Sequence, residues 1–234
     1  MKYSNKTWRA CALCMLAALA MTTGCQNKPA ETADSTNAAT DSVVAESPLD
    51  NAVVRAIMDR RSVRKYKPEP VPKEMLDVIL HCGINAPNAM NEQRWEVRVT
   101  NSKAFIDGVT KVFVESAEND ERVQKLVKNP DFHNMFRNAP TVIFVAGKAD
   151  EKSSPIDCGM LGENIMLAAQ SMGLGTCCLG SAAGFLNSNP GAANYLKQLA
   201  FSDGYELLYA IAIGYPDESP EAKPRDASKI RYIE

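Results

Sequence analysis

Residues 59–66 of this 234-residue chain read DRRSVRKY, and they set four cationic side chains around one hydroxyl. The cations are Arg60, Arg61, Arg64 and Lys65, and the hydroxyl belongs to Ser62. A phosphate monoester carries about −1.5 to −2 charges at neutral pH and accepts several hydrogen bonds, so guanidinium forks beside a hydroxyl match it well. Residues 60–65, the basic segment, therefore form either a candidate phosphate site or a solvated basic loop.

A second pair of cations, Lys223 and Arg225, lies near the other end of the chain. This C-terminal basic pair follows the Pro-rich stretch GYPDESPEA at residues 214–222. Two basic sites that are distant in sequence can converge on one ligand. The chain as a whole has 26 Lys and Arg against 28 Asp and Glu. This balance offers no broad basic face for a nucleic acid, so we expect no nucleic-acid partner.

The first 25 residues are typical of an export signal, because cationic residues precede an apolar run at residues 10–21 and small residues lead to Cys25. A Cys directly after Gly resembles the lipobox of bacterial lipoproteins, with Thr22 where that motif has Leu. The resemblance implies an exported protein that is anchored to a bacterial membrane by lipid on Cys25. Cleavage elsewhere would give a soluble exported protein. A retained anchor is disfavoured because the apolar run is too short to span a bilayer.

Residues 26–49 contain no aromatic residue and are rich in small, polar and acidic residues, which is typical of a flexible tether. We expect the folded domain to occupy residues 50–234, a length that supports one core. Within it, Cys82 and Cys158 can pair in an oxidising compartment or remain buried free thiols. The scattered Cys and His residues show no zinc-ligand spacing, so we expect no metal site.

Hydrophobic periodicity predicts alternating helices and strands in this domain. A first helix is expected after Asp50 as its N-cap, with Val53, Val54, Ile57 and Met58 on one stripe. Further helices are expected around residues 75–80, 105–113, 123–127 and 161–172. Strands are expected at residues 95–99, 141–146 and 207–213. This order indicates a domain of mixed α and β content rather than a sandwich.

The glycine-containing segment GLGTCCLGS at residues 173–181 matches neither nucleotide-binding motif. Cys178 stands at the third glycine position of G-x-G-x-x-G, and Ser181 stands where the P-loop has Lys. Two interpretations remain open. The segment is a small-residue loop whose backbone N–H groups approach a flat ligand, or it is a helix C-cap followed by a turn.

Four motifs, at residues 60–64, 86–95, 173–180 and 214–225, together resemble the nitroreductase family of FMN-dependent oxidoreductases. At residues 93–95 the chain has Gln-Arg-Trp where the family has Gln-Pro-Trp. The resemblance implies an α+β fold with a mixed β-sheet flanked by helices, and a homodimer with FMN at its interface. It also implies hydride or electron transfer from a reduced donor, NAD(P)H, to a small planar acceptor such as a quinone or nitroaromatic.

The same resemblance implies roles for individual residues. The FMN phosphate and ribityl chain would be held by Arg60, Ser62, Lys223 and Arg225, with Arg61 packing nearby. Three groups would contact the flavin ring: Arg64 on the N1/C2=O side, Asn91 at the ring edge and the Gly180 N–H at N5. The residues around that N–H would be Cys178, Leu179 and Ser181. The residues that cover the flavin from the partner subunit would be Pro87, Asn88, Ala89 and Met90.

These roles agree with the chemistry. A reduced flavin is anionic at N1, so a fixed Arg64 cation would stabilise it. The acceptor mouth would be shaped by residues 115–138, with Phe132, His133, Met135 and Phe136 as candidate lining residues. Because NAD(P)H is scarce outside the cytoplasm, an alternative function is that of a lipid-anchored, flavin-binding electron relay with a protein redox partner.

Overall fold

The computed structural model describes residues 51–233, all of which belong to one compact unit. The predicted signal segment with Cys25 and the predicted tether at residues 26–49 lie outside the described residues. Of the helices within residues 51–233, none is long and apolar enough to cross a membrane. The same residues contain no group of three or more His, Cys, Asp or Glu that could hold a metal ion.

The described chain alternates helices and strands, in the order α1, α2, β1, α3, α4, β2, α5, β3, α6, α7, β4. The helices are α1 Ala52–Asp59, α2 Lys73–Ile84, α3 Lys103–Ser116, α4 Glu121–Val127, α5 Ser154–Ser171, α6 Gly180–Ser188 and α7 Ala193–Gln198. The strands are β1 Trp95–Thr100, β2 Thr141–Lys148, β3 Gly175–Leu179 and β4 Tyr205–Gly214. The predicted helices and the three predicted strands are all present, with longer bounds.

The four strands form one sheet in the order β1-β2-β4-β3, and each neighbouring pair is antiparallel. A parallel contact is made by the basic segment, where Ser62 bridges Thr176 of β3. The α+β class is confirmed. In place of the expected mixed sheet, the four strands are all antiparallel to their neighbours, and the chain after α1 adds a parallel contact beside β3.

The two central strands, β2 and β4, are buried on both faces of the sheet. Because side chains alternate along a strand, Phe144 and Ala212 pack on one face, while Ile143 and Ile211 pack on the other. The first face is covered by residues of α3 and α6, and the second by residues of α2 and α5. This double burial explains why both strands read as nearly continuous apolar runs.

The predicted cap of α1 and the predicted small-residue loop are corrected by the structure. The N-cap is Asn51, whose side chain accepts hydrogen bonds from the N–H groups of Val53 and Val54 at 3.1 Å. The cap is not Asp50, because the helix begins at Ala52 and Asn51 is the residue that reaches its first turn. The C-cap interpretation of the glycine-containing segment holds for Gly173, which follows α5 with a left-handed φ of 76°. The rest of the segment is not a loop, because residues 175–179 pair with β4 as strand β3 and Gly180 begins α6.

Cys82 and Cys158 are both free thiols. Cys158 is buried in the core beneath β2, and burial raises the pKa of its thiol to about 11. Cys82 is exposed on α2, so the expectation that both thiols are buried holds only for Cys158. The two cysteines therefore form no disulfide bond in this structure.

Candidate functional site

The basic segment lies along the outer edge of β3. Helix α1 ends at Asp59, and Arg60 leaves the helix with an extended ψ of 131°. Val63 then donates its N–H to the Thr176 carbonyl at 2.9 Å, beside the bridge between Ser62 and Thr176. The cations of the segment are therefore held next to the strand that leads into α6.

Gly175 permits this close approach. A Cβ built on Gly175 would lie 2.8 Å from both Cβ and Cγ2 of Val63, well inside the normal contact distance. Any larger residue at this position would displace the basic segment from β3. The role of Gly175 is therefore to admit the neighbouring chain, a use of glycine that neither sequence-based interpretation of this segment included.

On its other side, the basic segment continues into residues that pair with the chain after β4. Lys67 donates its N–H to the Tyr215 carbonyl, and Asp217 donates its N–H to the Lys65 carbonyl, both at 2.9 Å. Between them, the side chain of Tyr66 is buried, and burial raises the pKa of its hydroxyl. Residues 62–67 thus connect β3 to the stretch that leads to the C-terminal basic pair.

The arginines of the basic segment point in different directions. Arg61 donates from Nη1 to the carbonyls of Met58 and Arg60, so its guanidinium is held against the end of α1. Arg64 donates from Nη1 to the Ser62 carbonyl at 3.0 Å. Arg60 lies close enough to Cys178 for its charge to oppose the rise in the thiol pKa that burial and Cys177 produce.

The N-terminus of α6 adds free N–H groups to this region. Gly180 begins the helix and Ser181 follows, both exposed, and the N-cap residue Leu179 provides no side-chain hydrogen bond to the first turn. Uncapped N–H groups at a helix N-terminus attract hydrogen-bond acceptors and negative charge. The sequence-predicted residues Arg60, Cys178 and Gly180 are therefore neighbours at one edge of the sheet.

The loop at residues 86–95 is held by α5 and by its own side chains. Ala89 donates its N–H to Oδ1 of Asp157 at 3.2 Å, and Gln93 donates its N–H to Oδ1 of Asn88 at 2.9 Å. Met90 and Asn91 have φ values of 53° and 55°, in the left-handed region that non-glycine residues rarely adopt. Of the Met90 surface, 89% is exposed, and Pro87 is exposed as well. Among residues 51–233, no hydrogen bond joins this loop to the basic segment of the same chain.

The C-terminal basic pair is exposed, and Arg225 donates from Nη1 to the Lys223 carbonyl at 3.3 Å. Among residues 51–233, no hydrogen bond joins either cation to the basic segment. Besides the backbone pairing of residues 65–67 with residues 215–217, Glu218 joins the two regions, because its Oε1 accepts the backbone N–H of Arg64. Convergence of the two basic clusters on one ligand stays a prediction.

A cavity of about 800 Å³ opens beside Arg64, between the basic segment and residues 129–140. Phe132, His133 and Met135 line it, as the sequence suggested for an acceptor mouth. Phe136 does not, because its ring is fully buried against Phe144 in the core.

Arg137 also lines this cavity, and sequence reasoning missed it. Its φ is 60° and that of Asn138 is 63°, so two consecutive residues adopt left-handed backbone. Reciprocal amide contacts hold this turn: Asn134 Oδ1 accepts the Asn138 N–H, and Asn138 Oδ1 accepts the Asn134 N–H, both at 3.0 Å. A single Arg in a polar loop carries no sequence pattern, so the signal exists only in the folded chain.

The chain is similar to known proteins in both sequence and fold. An NADPH-flavin oxidoreductase of Vibrio harveyi is 29% identical over 186 residues, covering 75% of this chain and 70% of the relative. A nitroreductase with bound FMN from Desulfitobacterium hafniense DCB-2 is 26% identical, with a TM-score of 0.71, over 79% of this chain and 100% of that one. A nitroreductase with bound FMN from Bacteroides fragilis shares the fold with a TM-score of 0.69, at 24% identity, over 79% and 100% of the two chains.

The profile of the nitroreductase family matches residues 57–215. The matched part begins before the basic segment, contains the loop at residues 86–95 and the strand β3 with the start of α6, and ends after β4. Since this match covers more than half of the chain and all four strands, the chain belongs to the nitroreductase family.

Proposed function

We propose that this chain is an FMN-dependent oxidoreductase that uses NAD(P)H to reduce a small planar acceptor such as a quinone or nitroaromatic. The observation that carries the proposal is the position of the basic segment, which hydrogen bonds hold along β3 beside the N-terminus of α6. This arrangement brings Arg60, Ser62 and Arg64 to the same edge of the sheet as the uncapped Gly180 N–H. The relatives whose names include FMN or flavin oxidoreductase activity support the assignment.

The residues at this edge fit FMN chemically. FMN, when bound, supplies the two-electron redox chemistry of the reaction. The guanidinium of Arg60 and the hydroxyl of Ser62 suit its phosphate and ribityl oxygens, together with Lys223 and Arg225. The Gly180 N–H provides a donor for a ring acceptor, and the absence of a side chain there leaves room for close approach, since a Cβ on Gly180 would meet nothing within 4 Å.

Two cations are placed to tune the cofactor. Arg64 and Arg137 line the same cavity, and each would stabilise negative charge that develops on the pyrimidine side of the ring. A preorganised cation costs little reorganisation during the reaction, and the contacts between Asn134 and Asn138 fix the backbone turn that carries Arg137. We therefore include Arg137 with Arg64 as a flavin-tuning residue.

We also propose that the protein acts as a homodimer. Val53, Ile57 and Met58 of α1 are 66%, 51% and 68% exposed, which is unusual for three apolar residues on one helix. They lie beside an apolar groove that also includes Val78 and Leu167. The exposed loop with Pro87, Ala89 and Met90 would then cover the flavin of the second subunit.

The lipoprotein-like N-terminus supports a proposal on location: export, and attachment to a bacterial membrane through lipid on Cys25. Export makes the physiological electron donor a separate question, since NAD(P)H is scarce outside the cytoplasm. For the acceptor, we propose that the quinone or nitroaromatic enters the cavity beside Arg64.

The test begins with the colour of the purified protein. We expect bound FMN, seen as flavin absorption, and rapid bleaching when NADH or NADPH is mixed with it in a stopped-flow instrument. Reoxidation by a quinone or a nitroaromatic should follow. A colourless protein that takes up no FMN would contradict the proposal, and bleaching by a reduced protein but not by NAD(P)H would indicate the electron relay instead.

A further inference from the structure

We infer that Glu218 is a positioning residue that latches the C-terminal basic pair to the basic segment, so that both clusters can hold the FMN phosphate. The inference rests on the proposed function, because it concerns the phosphate end of the same site. Its physical basis is one contact: Glu218 Oε1 accepts the backbone N–H of Arg64 at 2.5 Å.

The Arg64 N–H lies where two hydrogen-bond ladders meet. On one side, Val63 bonds to Thr176 of β3; on the other, Lys65 accepts the N–H of Asp217. Within the described part of the chain, no backbone carbonyl accepts the Arg64 N–H. The contact is exposed, so water could also satisfy this donor, and the value of the Glu218 carboxylate lies in fixing the start of residues 218–225 against the basic segment.

The charge of Glu218 argues against a direct role in ligand binding. A carboxylate repels a phosphate, so Coulomb interactions alone would favour its absence near a phosphate site. Its presence is explained if it holds the chain instead, because hydrogen bonds to an ionised acceptor are about twice as strong as neutral ones. Removal of a carboxylate that only repels the phosphate should tighten FMN binding, whereas removal of one that positions the chain should weaken it. An experiment can therefore separate the two roles.

Glu218 lies at a point from which it can restrict the position of the C-terminal basic pair. Residues 215–217 run beside residues 65–67, and Glu218 ends this pairing. Between Glu218 and Arg225 the chain is short and contains Pro220 and Pro224, each of which restricts φ. Anchoring the start of this stretch therefore limits where Lys223 and Arg225 can lie.

The experiment measures the affinity of the full chain for FMN and for riboflavin, which lacks the phosphate. Glu218→Ala removes the acceptor, and Glu218→Asp keeps the charge but shortens the side chain. Both should weaken FMN binding by roughly ten-fold or more and leave riboflavin binding nearly unchanged. Glu218→Gln keeps an acceptor oxygen and should restore most of the FMN affinity.

Asp217→Ala is the matched control. It removes the same charge from the adjacent position, while its contact to Lys65 uses only the backbone N–H. FMN binding should therefore be unchanged or slightly tighter in this variant. A combined Glu218→Ala and Arg225→Ala variant should lose less affinity than the sum of the single losses, because Glu218 acts through the basic pair.

Each outcome decides the inference. Wild-type FMN affinity in Glu218→Ala, equal loss of FMN and riboflavin binding, or additive losses with Arg225→Ala would overturn it. If the Ala variant does not fold, Glu218→Asp gives the same comparison. Failure of the wild-type protein to bind FMN would instead refute the proposed function, so the two failures are distinguishable.

Discussion

Val63 donates its backbone N–H to the carbonyl of Thr176 at 2.9 Å, and this hydrogen bond ties the basic segment to the edge of β3. The contact joins a segment from the start of the domain to a strand more than a hundred residues later. It places the cations of the first motif beside the helix that begins at Gly180. The candidate cofactor site depends on this placement of the basic segment beside β3.

The close contact between the basic segment and β3 predicts that Gly175→Ala lowers the stability of the fold and weakens cofactor binding. The new methyl group would lie 2.8 Å from Val63 and must push the basic segment outward. We expect a loss of about 1–3 kcal/mol in the free energy of unfolding, the usual cost of overpacking, and weaker FMN binding. Denaturant unfolding and FMN titration measure the two effects.

Gly159→Ala in α5 is the control for that variant, because a Cβ there meets nothing within 4 Å. Replacing a helix-interior glycine with alanine should stabilise the protein by about 0.5–1 kcal/mol. Equal unfolding free energies for the two variants would show that Val63 does not press against Gly175.

Arg60 and Arg225 are predicted to bind the same phosphate. Each charge-assisted contact should contribute about 1.5–3 kcal/mol, so each single Ala variant should bind FMN roughly ten- to a hundred-fold more weakly. The double Ala variant should depart from additivity, because contacts to one group couple. Riboflavin binding should be nearly indifferent to both changes. Unchanged FMN affinity in both single variants would remove the phosphate site.

Arg137 is predicted to favour the reduced cofactor. Arg137 lines the same cavity as Arg64, so Arg137→Gln should make the reduction potential of bound FMN more negative, by on the order of 30 mV for a ten-fold effect on a two-electron couple. Spectroscopic redox titration measures this shift. Arg122→Gln removes the same charge from the exposed face of α4 and should leave the potential unchanged. Equal potentials for both variants would exclude Arg137 from the site.

Cys177 and Cys178 are predicted to take no part in the chemistry. They are free thiols on opposite faces of β3: Cys177 is buried, whereas Cys178 reaches the surface with a thiol that is only partly desolvated, and this partial desolvation raises the pKa of Cys178. The raised pKa makes Cys178 a poor nucleophile, and Cys177 is a buried structural cysteine, which is inert for lack of access. Cys177→Ala should therefore keep flavin reduction close to the wild-type rate, with a stability loss of about 1 kcal/mol from the small cavity. Loss of reduction with FMN still bound would show that a thiol participates.

Cys25 is predicted to carry the lipid anchor. Lipidation with several acyl chains gives stable membrane attachment where a single chain does not. Cys25→Ser should move the protein from the membrane fraction to the soluble fraction. Radiolabelled palmitate should label the wild type but not the variant. If the wild type takes up no label, the N-terminal segment is not a lipoprotein signal.

Local pattern was sufficient to predict the α+β class and most elements, because each signal lies within a few residues. Strands β2 and β4 are nearly continuous apolar runs, and α3 and α5 show helical spacing, so these elements can be recognised without knowledge of their neighbours in the fold. The short strand β3 was read as a loop instead. Gly175, Thr176 and the two cysteines carry little strand pattern of their own, and they form a strand because β4 pairs with them.

The candidate site divides in the same way. The identity of the chemistry-bearing residues, Arg60, Ser62, Arg64 and Gly180, was determined by the sequence, because charge and side-chain size are properties of single residues. Their juxtaposition was decided by tertiary structure, through the Val63–Thr176 bond and the space left by Gly175. Arg137 and Glu218 emerged only in the fold, because a lone charge in a loop acquires meaning from the long-range contacts around it: a shared cavity with Arg64 for one, and the Arg64 N–H for the other.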